Sequence, residues 1–281
     1  MIHPISHVAI NAVQYITQFC MELFEYNVTN ITFKGNAMRN VIGRYLDTID
    51  ALTLEDRMLT HNTLILGEAG SGKTNLACRI RNFVIDNNVP TLYMDFANSH
   101  EEEVELRYKD EHFNYIRFEE SENFDEAFAK LVAQKKHIYM AVDPNFFATK
   151  REKKSKLSRV ISQQALLDHY YYFFHDIENL NGFYTKFEDF LLYMLSFANL
   201  QKQGFTFLAQ PHQTFENPHL KLLFSFLYVG KCSNANYFNT AILKTLKKNH
   251  FYYQYRTAYP TLLFNDIKSS MVKIDEYVPE V

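Results

Sequence analysis

One run of eight residues constrains this chain more than any other: Gly67-Glu68-Ala69-Gly70-Ser71-Gly72-Lys73-Thr74. It has the spacing G-x-x-x-x-G-K-T and lies between a short apolar run, Thr63–Leu66, and a stretch of helical periodicity opening at Lys73. Glycines at these places let successive backbone N–H groups turn inward around phosphates. The start of the helix adds the positive end of its dipole. Lys73 is expected to reach the β- and γ-phosphates, and the Thr74 hydroxyl to ligate Mg²⁺. The chain has only 8 glycines, and three of them fall in this turn, which argues against a chance match. The whole loop, Gly67 to Thr74, is therefore read as an ATP and Mg²⁺ site.

Such a loop needs a buried strand before it and a helix after it, and the rest of the chain supplies more of both. Apolar runs at Thr63–Leu66, Thr91–Met94, Tyr115–Phe118, Ile138–Val142, Tyr170–Phe174 and Phe205–Ala209 read as strands buried on both faces. Helical patterns lie between them at Lys73–Asp86, Phe124–Gln134, Lys156–Asp168 and Lys186–Lys202. This alternation predicts an α/β fold, a mostly parallel sheet flanked by helices. Residues 1–58 read differently. A 3.6-residue period runs from Val8 to Phe24, Val28–Phe33 has strand character, and Asn36–Leu54 carries Met38, Ile42, Tyr45, Leu46 and Ile49 at helical spacing. We therefore expect an N-terminal helical appendage over 1–58 and the ATPase domain over 59–281.

Composition narrows the class. With 47% apolar and 22% charged residues, the 281-residue chain has a globular balance and is not disordered. Cys20, Cys78 and Cys232 are too few and scattered for a disulfide framework or a zinc site, which favours a reducing, cytoplasmic setting. The start, MIHPISHVAINAV, lacks the basic region of a signal peptide, and no apolar window is long enough for a membrane helix, so a soluble protein is expected. The net charge of −3 hides segregation. Asp95–Glu126 is strongly acidic, whereas Lys130–Arg159 and Lys221–Arg256 are basic. Basic segments beside near-neutral net charge fit a protein that meets a polyanion on one face. Solvated surface is the plainer reading of any single run.

Hydrolysis needs a carboxylate to hold Mg²⁺ and a group to prepare the attacking water. The run Tyr170-Tyr171-Tyr172-Phe173-Phe174-His175-Asp176-Ile177-Glu178 offers both, with Asp176 as the metal-holding aspartate and Glu178 as the base. The rival, Asp143, also follows an apolar run but is followed by Pro144 and no glutamate. Gln210 closes the next strand, where a glutamine can bond the γ-phosphate and the water; a buried structural amide is its plainer reading. Asp95, Asp143, Asp176 and Gln210 all follow apolar runs, at the strand ends where open parallel sheets bind ligands.

This layout resembles the HerA–FtsK superfamily of P-loop motor ATPases, which includes conjugation and viral genome-packaging enzymes. The resemblance spans about residues 60–265. It rests on the P-loop, the strand Leu92-Tyr93-Met94-Asp95, the strand Ile138–Asp143, the Asp176 strand, a long helix, and Phe207-Leu208-Ala209-Gln210. The stretch Leu243–Phe264 is similar to the family's final hairpin-like segment. It implies a RecA-like core working as a homo-oligomeric ring, often hexameric, around double-stranded DNA, with Lys73, Glu178 and Gln210 in catalysis. The segment Lys150-Arg151-Glu152-Lys153-Lys154-Ser155-Lys156 would then touch DNA phosphates. Packaging or plasmid transfer is the expected task, with virion or plasmid association left open. Two departures stand out: Ile177 separates Asp176 from Glu178, and no arginine lies between Arg159 and Arg256. An arginine finger is therefore open between Arg256, Arg159 and residues upstream. An AAA+-type replication loader and a non-hydrolysing, nucleotide-dependent scaffold are the alternatives.

Overall fold

In a computed structural model, the apolar runs pair into a single mixed sheet. The structure describes residues 40–48, 50–96, 113–118, 122–142, 169–182, 187–233, 240–256 and 267–277. All of these belong to the compact unit Gly35–Val281. The strands in chain order are β1 (Val41–Tyr45), β2 (Ala51–Thr53), β3 (Thr63–Leu66), β4 (Thr91–Asp95), β5 (Phe113–Arg117) and β6 (His137–Ala141). Then come β7 (Tyr171–His175), β8 (Phe205–Ala209), β9 (Phe226–Val229), β10 (His250–Arg256) and β11 (Ile267–Ile274). Their order across the sheet is β2-β1-β11-β10-β9-β3-β8-β7-β4-β6-β5. From β9 to β5 every pairing is parallel. The other four strands form an antiparallel wing on the β9 side.

Helices cover both faces, so the parallel strands have no polar face and read as continuous apolar runs. On one face lies α1 (Lys73–Asp86), which packs Leu76, Ala77, Ile80, Phe83 and Val84 against Ile65, Tyr93, Phe173 and Leu208. On the other, α2 (Glu122–Ala133) and α3 (Phe187–Gln201) bring Phe124, Leu191, Met194 and Leu195 onto Leu64, Met94, Phe174 and Phe207. The short α4 (Pro218–Leu222) and α5 (Thr240–Thr245) add Leu220 and Leu243 to that layer. Every residue of β3, β4, β7, β8 and β9 is buried, whereas edge strand β5 is half exposed. Phenylalanine and tyrosine fill much of the core; Phe174 and Phe207, for instance, stack with centroids 4.9 Å apart.

Two expectations need correction. The helix expected over Asn36–Leu54 is, from Val41 onward, the hairpin β1–β2, whose turn is closed by the Tyr45 N–H donating to the Asp50 carbonyl at 2.9 Å. Pairing of β1 with β11, more than 200 residues away in sequence, overrides the local 3.6-residue pattern and turns Ile42 and Leu52 into the core. Residues 1–39, which hold the rest of the expected appendage, lie outside the described residues, as do Asp143, Lys150–Lys156, Arg159 and the helix expected at Lys156–Asp168. The expected hairpin-like segment at Leu243–Phe264 begins with α5, and its strands are β10 and β11, so its second strand falls later than expected. Strand β9, inside Leu222–Val229, was not among the expected runs.

Candidate active site

The P-loop leaves the carboxyl end of β3 and is tied down on both sides. Gly67 N–H donates to the Ala209 carbonyl at the end of β8 (3.2 Å), and Glu68 N–H donates to the Lys231 carbonyl beyond β9 (2.9 Å). Gly70 and Gly72 adopt φ of +76° and +99°, conformations in which a side chain would be strained. A Cβ on Gly70 would meet nothing within 4 Å, so the loop's crown is open for a ligand. Gly72 precedes Lys73, the first residue of α1. The buried Lys73 ammonium donates to the carbonyls of Gly67 (2.8 Å) and Glu68 (3.2 Å). Burial lowers its pKa, opposed first by Asp176 and then by Glu178. The loop's carbonyls thus hold the lysine beside its own backbone, with both carboxylates close enough to act on its charge.

Strand β8 lies between β3 and β7, so Gln210 sits between the P-loop and the Asp176–Glu178 segment. After His175 the chain breaks out of the strand: Asp176 takes a left-handed φ of +52° and a 3₁₀ turn, Ile177–Gly182, follows. Ile177 is fully buried in the core. The turn lets the Glu178 side chain reach back, where Oε1 accepts the Gln210 backbone N–H at 3.0 Å. Glu178 Oε2 is buried without a hydrogen bond. Burial, and next the neighbouring Asp176, push the Glu178 carboxyl up to about 7. The Ile177 spacer is therefore accommodated, and Asp176 and Glu178 reach the same sheet edge. Gln210 itself is exposed, which is not the environment of a buried structural amide.

Arg256 ends β10, which runs antiparallel to β9, and its N–H donates to the Ser225 carbonyl just before β9. It therefore lies at the sheet edge opposite the P-loop of its own chain. The sequence places Glu68 and Asp95 at this edge but singles out neither their partners Ser233 and Tyr139 nor Asn249. Glu68 accepts from the Ser233 N–H and, at 3.0 Å, from its hydroxyl, and the Ser233 backbone contact holds the carboxyl below its ordinary range. Asn249, at φ +62° and buried, donates its N–H to the Ser71 carbonyl at 2.9 Å. Its Oδ1 packs so near Gly72 that a Cβ there would come within 2.1 Å. Asp95 is buried at the end of β4, where the Tyr139 hydroxyl donates to Oδ2 at 2.7 Å. Asn in a left-handed turn after Lys247-Lys248 is the one signal that was available.

Strand, P-loop, helix, an intervening strand ending in Gln210 and a carboxylate-bearing strand beyond it are now all in place. The chain folds as a RecA-like P-loop NTPase. It superposes on the cytoplasmic domain of the type VII secretion ATPase EccC of Thermomonospora curvata with a TM-score of 0.52 and 12% identity. That match covers 89% of this chain and 28% of the other. A second EccC structure from the same organism, ATPases 2 and 3 with a signal sequence peptide, gives 0.51 and 12% over 88% of this chain and 42% of the other. The chain thus spans less than half the length of these RecA-like neighbours. The genome packaging NTPase B204 of Sulfolobus turreted icosahedral virus 2, with sulfate, is similar at 14% identity over 77% of this chain and 98% of that one. Its TM-score is 0.48. No protein-family model matches the sequence, and no curated protein matches it.

The residues fit ATP and Mg²⁺. The left-handed glycines and open crown suit a phosphate cradle, and the Thr74 hydroxyl and the Asp176 carboxylate are oxygen groups of the kind that would hold Mg²⁺, directly or through water. Among the described residues no helix is long and apolar enough to cross a membrane.

Proposed function

We propose that this chain is an ATP-hydrolysing motor of the HerA–FtsK type that moves double-stranded DNA, in genome packaging or plasmid transfer, as a homo-oligomeric ring. The observation that carries the hydrolytic part is the Glu178 carboxylate. It is fixed by the Gln210 N–H, half-buried and raised to about 7, so that it is poised to take a proton near neutral pH. Thr74 and Asp176 would hold Mg²⁺, Asp176 through water, and the bound ion would offset the charge of the phosphates. Lys73 leaves the Gly67 and Glu68 carbonyls for the phosphate oxygens, and the loop N–H groups hold the chain of phosphates in place. Glu178 accepts a proton from the attacking water as its oxygen bonds the γ-phosphorus and the bond to the β–γ bridging oxygen breaks. The exposed Gln210 amide orients that water.

Support for DNA comes from charge. The lysine-rich segment Lys150–Lys156 and the exposed Lys244, Lys247 and Lys248 carry cations. Lys247 and Lys248 immediately precede Asn249, whose N–H bonds the P-loop, so a polyanion there would act next to the nucleotide. Cys78 and Cys232 are buried and in no disulfide, which suits a reducing cytoplasm. The test is multiple-turnover ATP hydrolysis with and without duplex DNA. The motor reading predicts turnover that duplex DNA stimulates. Nucleotide binding without turnover would instead support the assembly scaffold, and turnover indifferent to duplex would remove the DNA motor.

A further inference from the structure

The Mg²⁺-holding role of Asp176 puts weight on how that side chain is aimed, since the residue sits in a left-handed turn outside any regular element. Its neighbours form a row along the carboxyl edge of three adjacent parallel strands, β7, β4 and β6. His175 is buried, with Nε2 3.9 Å from Asp176 Oδ1 and Nδ1 4.0 Å from Asp95 Oδ1. The Tyr93 hydroxyl lies 3.3 Å from the same Nδ1, and the Tyr93 ring meets the imidazole edge-on at 5.9 Å. On the far side of Asp95, the Tyr139 hydroxyl donates to Oδ2 at 2.7 Å, and the Tyr139 ring stacks on Tyr93 at 5.1 Å. The backbone closes the row: Phe96 N–H donates to the His175 carbonyl at 3.1 Å, and His175 pairs with Asp95 across β4 and β7.

A carboxylate as buried as Asp95 is costly unless polar groups compensate it. Here one Asp95 oxygen accepts from the Tyr139 hydroxyl and the other faces the His175 imidazole at 4.0 Å, which places the carboxylate behind the residue next to Asp176. The imidazole lies between two carboxylates at 3.9 and 4.0 Å, beyond hydrogen-bond distance, while the Tyr93 hydroxyl at 3.3 Å from Nδ1 and the edge-on Tyr93 ring fix its orientation. Partners of this kind fix the groups that hold a metal and tune its binding. We infer that His175, oriented by Tyr93 and backed by the Asp95 carboxylate that Tyr139 anchors, is the positioning residue that aims the Asp176 carboxylate at the Mg²⁺ face of the P-loop.

This rests on Asp176 holding Mg²⁺, and the experiment separates the two claims. The full chain is titrated with a fluorescent, non-hydrolysable ATP analogue in Mg²⁺ and in EDTA, and the ratio of the two affinities is the readout. Asp176→Asn tests the underlying role: an unchanged ratio would overturn it and the inference together. If Asp176→Asn collapses the ratio, His175→Ala should lower it by about 10-fold, with affinity in EDTA unchanged. Tyr139→Phe removes only the hydroxyl on Asp95 and should lower the ratio a few-fold, so the claim stays testable if His175→Ala does not fold. A normal ratio in both folded His175→Ala and Tyr139→Phe, beside a collapsed ratio in Asp176→Asn, would overturn the positioning role. Equal losses with and without Mg²⁺ would also overturn it, because those mark general damage to the fold.

Discussion

Replacing Glu178 with Gln should make the protein gain stability relative to wild type as pH rises, while stopping its chemistry. The Glu178 carboxyl moves from an ordinary 4.5 to about 7 in the folded chain, chiefly through burial. The folded pKa lies above the unfolded one, so the proton's stabilising contribution is complete below about pH 4.5 and is lost as pH rises through about 7. At pH 8 the ionised carboxylate costs the fold at most about 3 kcal/mol, and less because the side chain is partly exposed. Gln cannot ionise, so the variant escapes this cost. It also leaves an amide N–H₂ where Oε2 is buried without a partner, a penalty of about 1–3 kcal/mol that does not change with pH. The pH-dependent part is therefore isolated by a difference of differences. Urea unfolding of nucleotide-free wild type and Glu178→Gln at pH 5 and pH 8 should show the variant gaining about 2 kcal/mol relative to wild type at the higher pH. ATP turnover by the variant should be near background at both. A stability difference that is the same at pH 5 and pH 8 would refute the raised pKa, and with it the argument that Glu178 is held ready as a base.

Other substitutions test other parts of the site. Lys73→Ala should abolish nucleotide binding or turnover in equilibrium binding and hydrolysis assays, because the phosphates lose their charge partner in a partly desolvated cradle. Gln210→Ala should lower kcat by 10-fold or more while leaving ATP affinity within about 3-fold, the pattern of a contact made mainly in the transition state. Its backbone N–H still reaches Glu178 in that variant, so urea stability should stay near wild type. At Asn249, Ala should be less stable than Gly by about 1–2 kcal/mol in urea unfolding, since φ of +62° strains a Cβ-bearing residue without Asn's polar side chain.

The sequence made some of this legible for physical reasons. Gly67 to Thr74 could be read because the glycines, the lysine and the threonine each answer a separate demand of phosphate chemistry. Strands β3, β4, β7 and β8 could be read because burial on both faces leaves no room for polar residues in them. The wing could not. β1 is a strand because it pairs with β11 at the far end of the chain, and no local period carries that information. The Ile177 spacer looked like a departure from the family pattern because spacing alone does not reveal the left-handed turn at Asp176. Asp95 could be placed at a strand end, but its partners and the role of Asn249 could not be read, because they come from the meeting of segments distant in sequence.

The central claim is that Glu178 acts as the base for ATP hydrolysis at this P-loop. The most direct test is the pH dependence of kcat/KM for ATP at saturating Mg²⁺, which reports the free enzyme's essential groups. The account predicts a rate that rises with a single ionisation near pH 7 and then levels off, a limb absent from the residual rate of Glu178→Gln. A profile flat from pH 5.5 to 8.5 on this account's roughly neutral base, or a Glu178→Gln protein that turns over ATP at the wild-type rate, would contradict it.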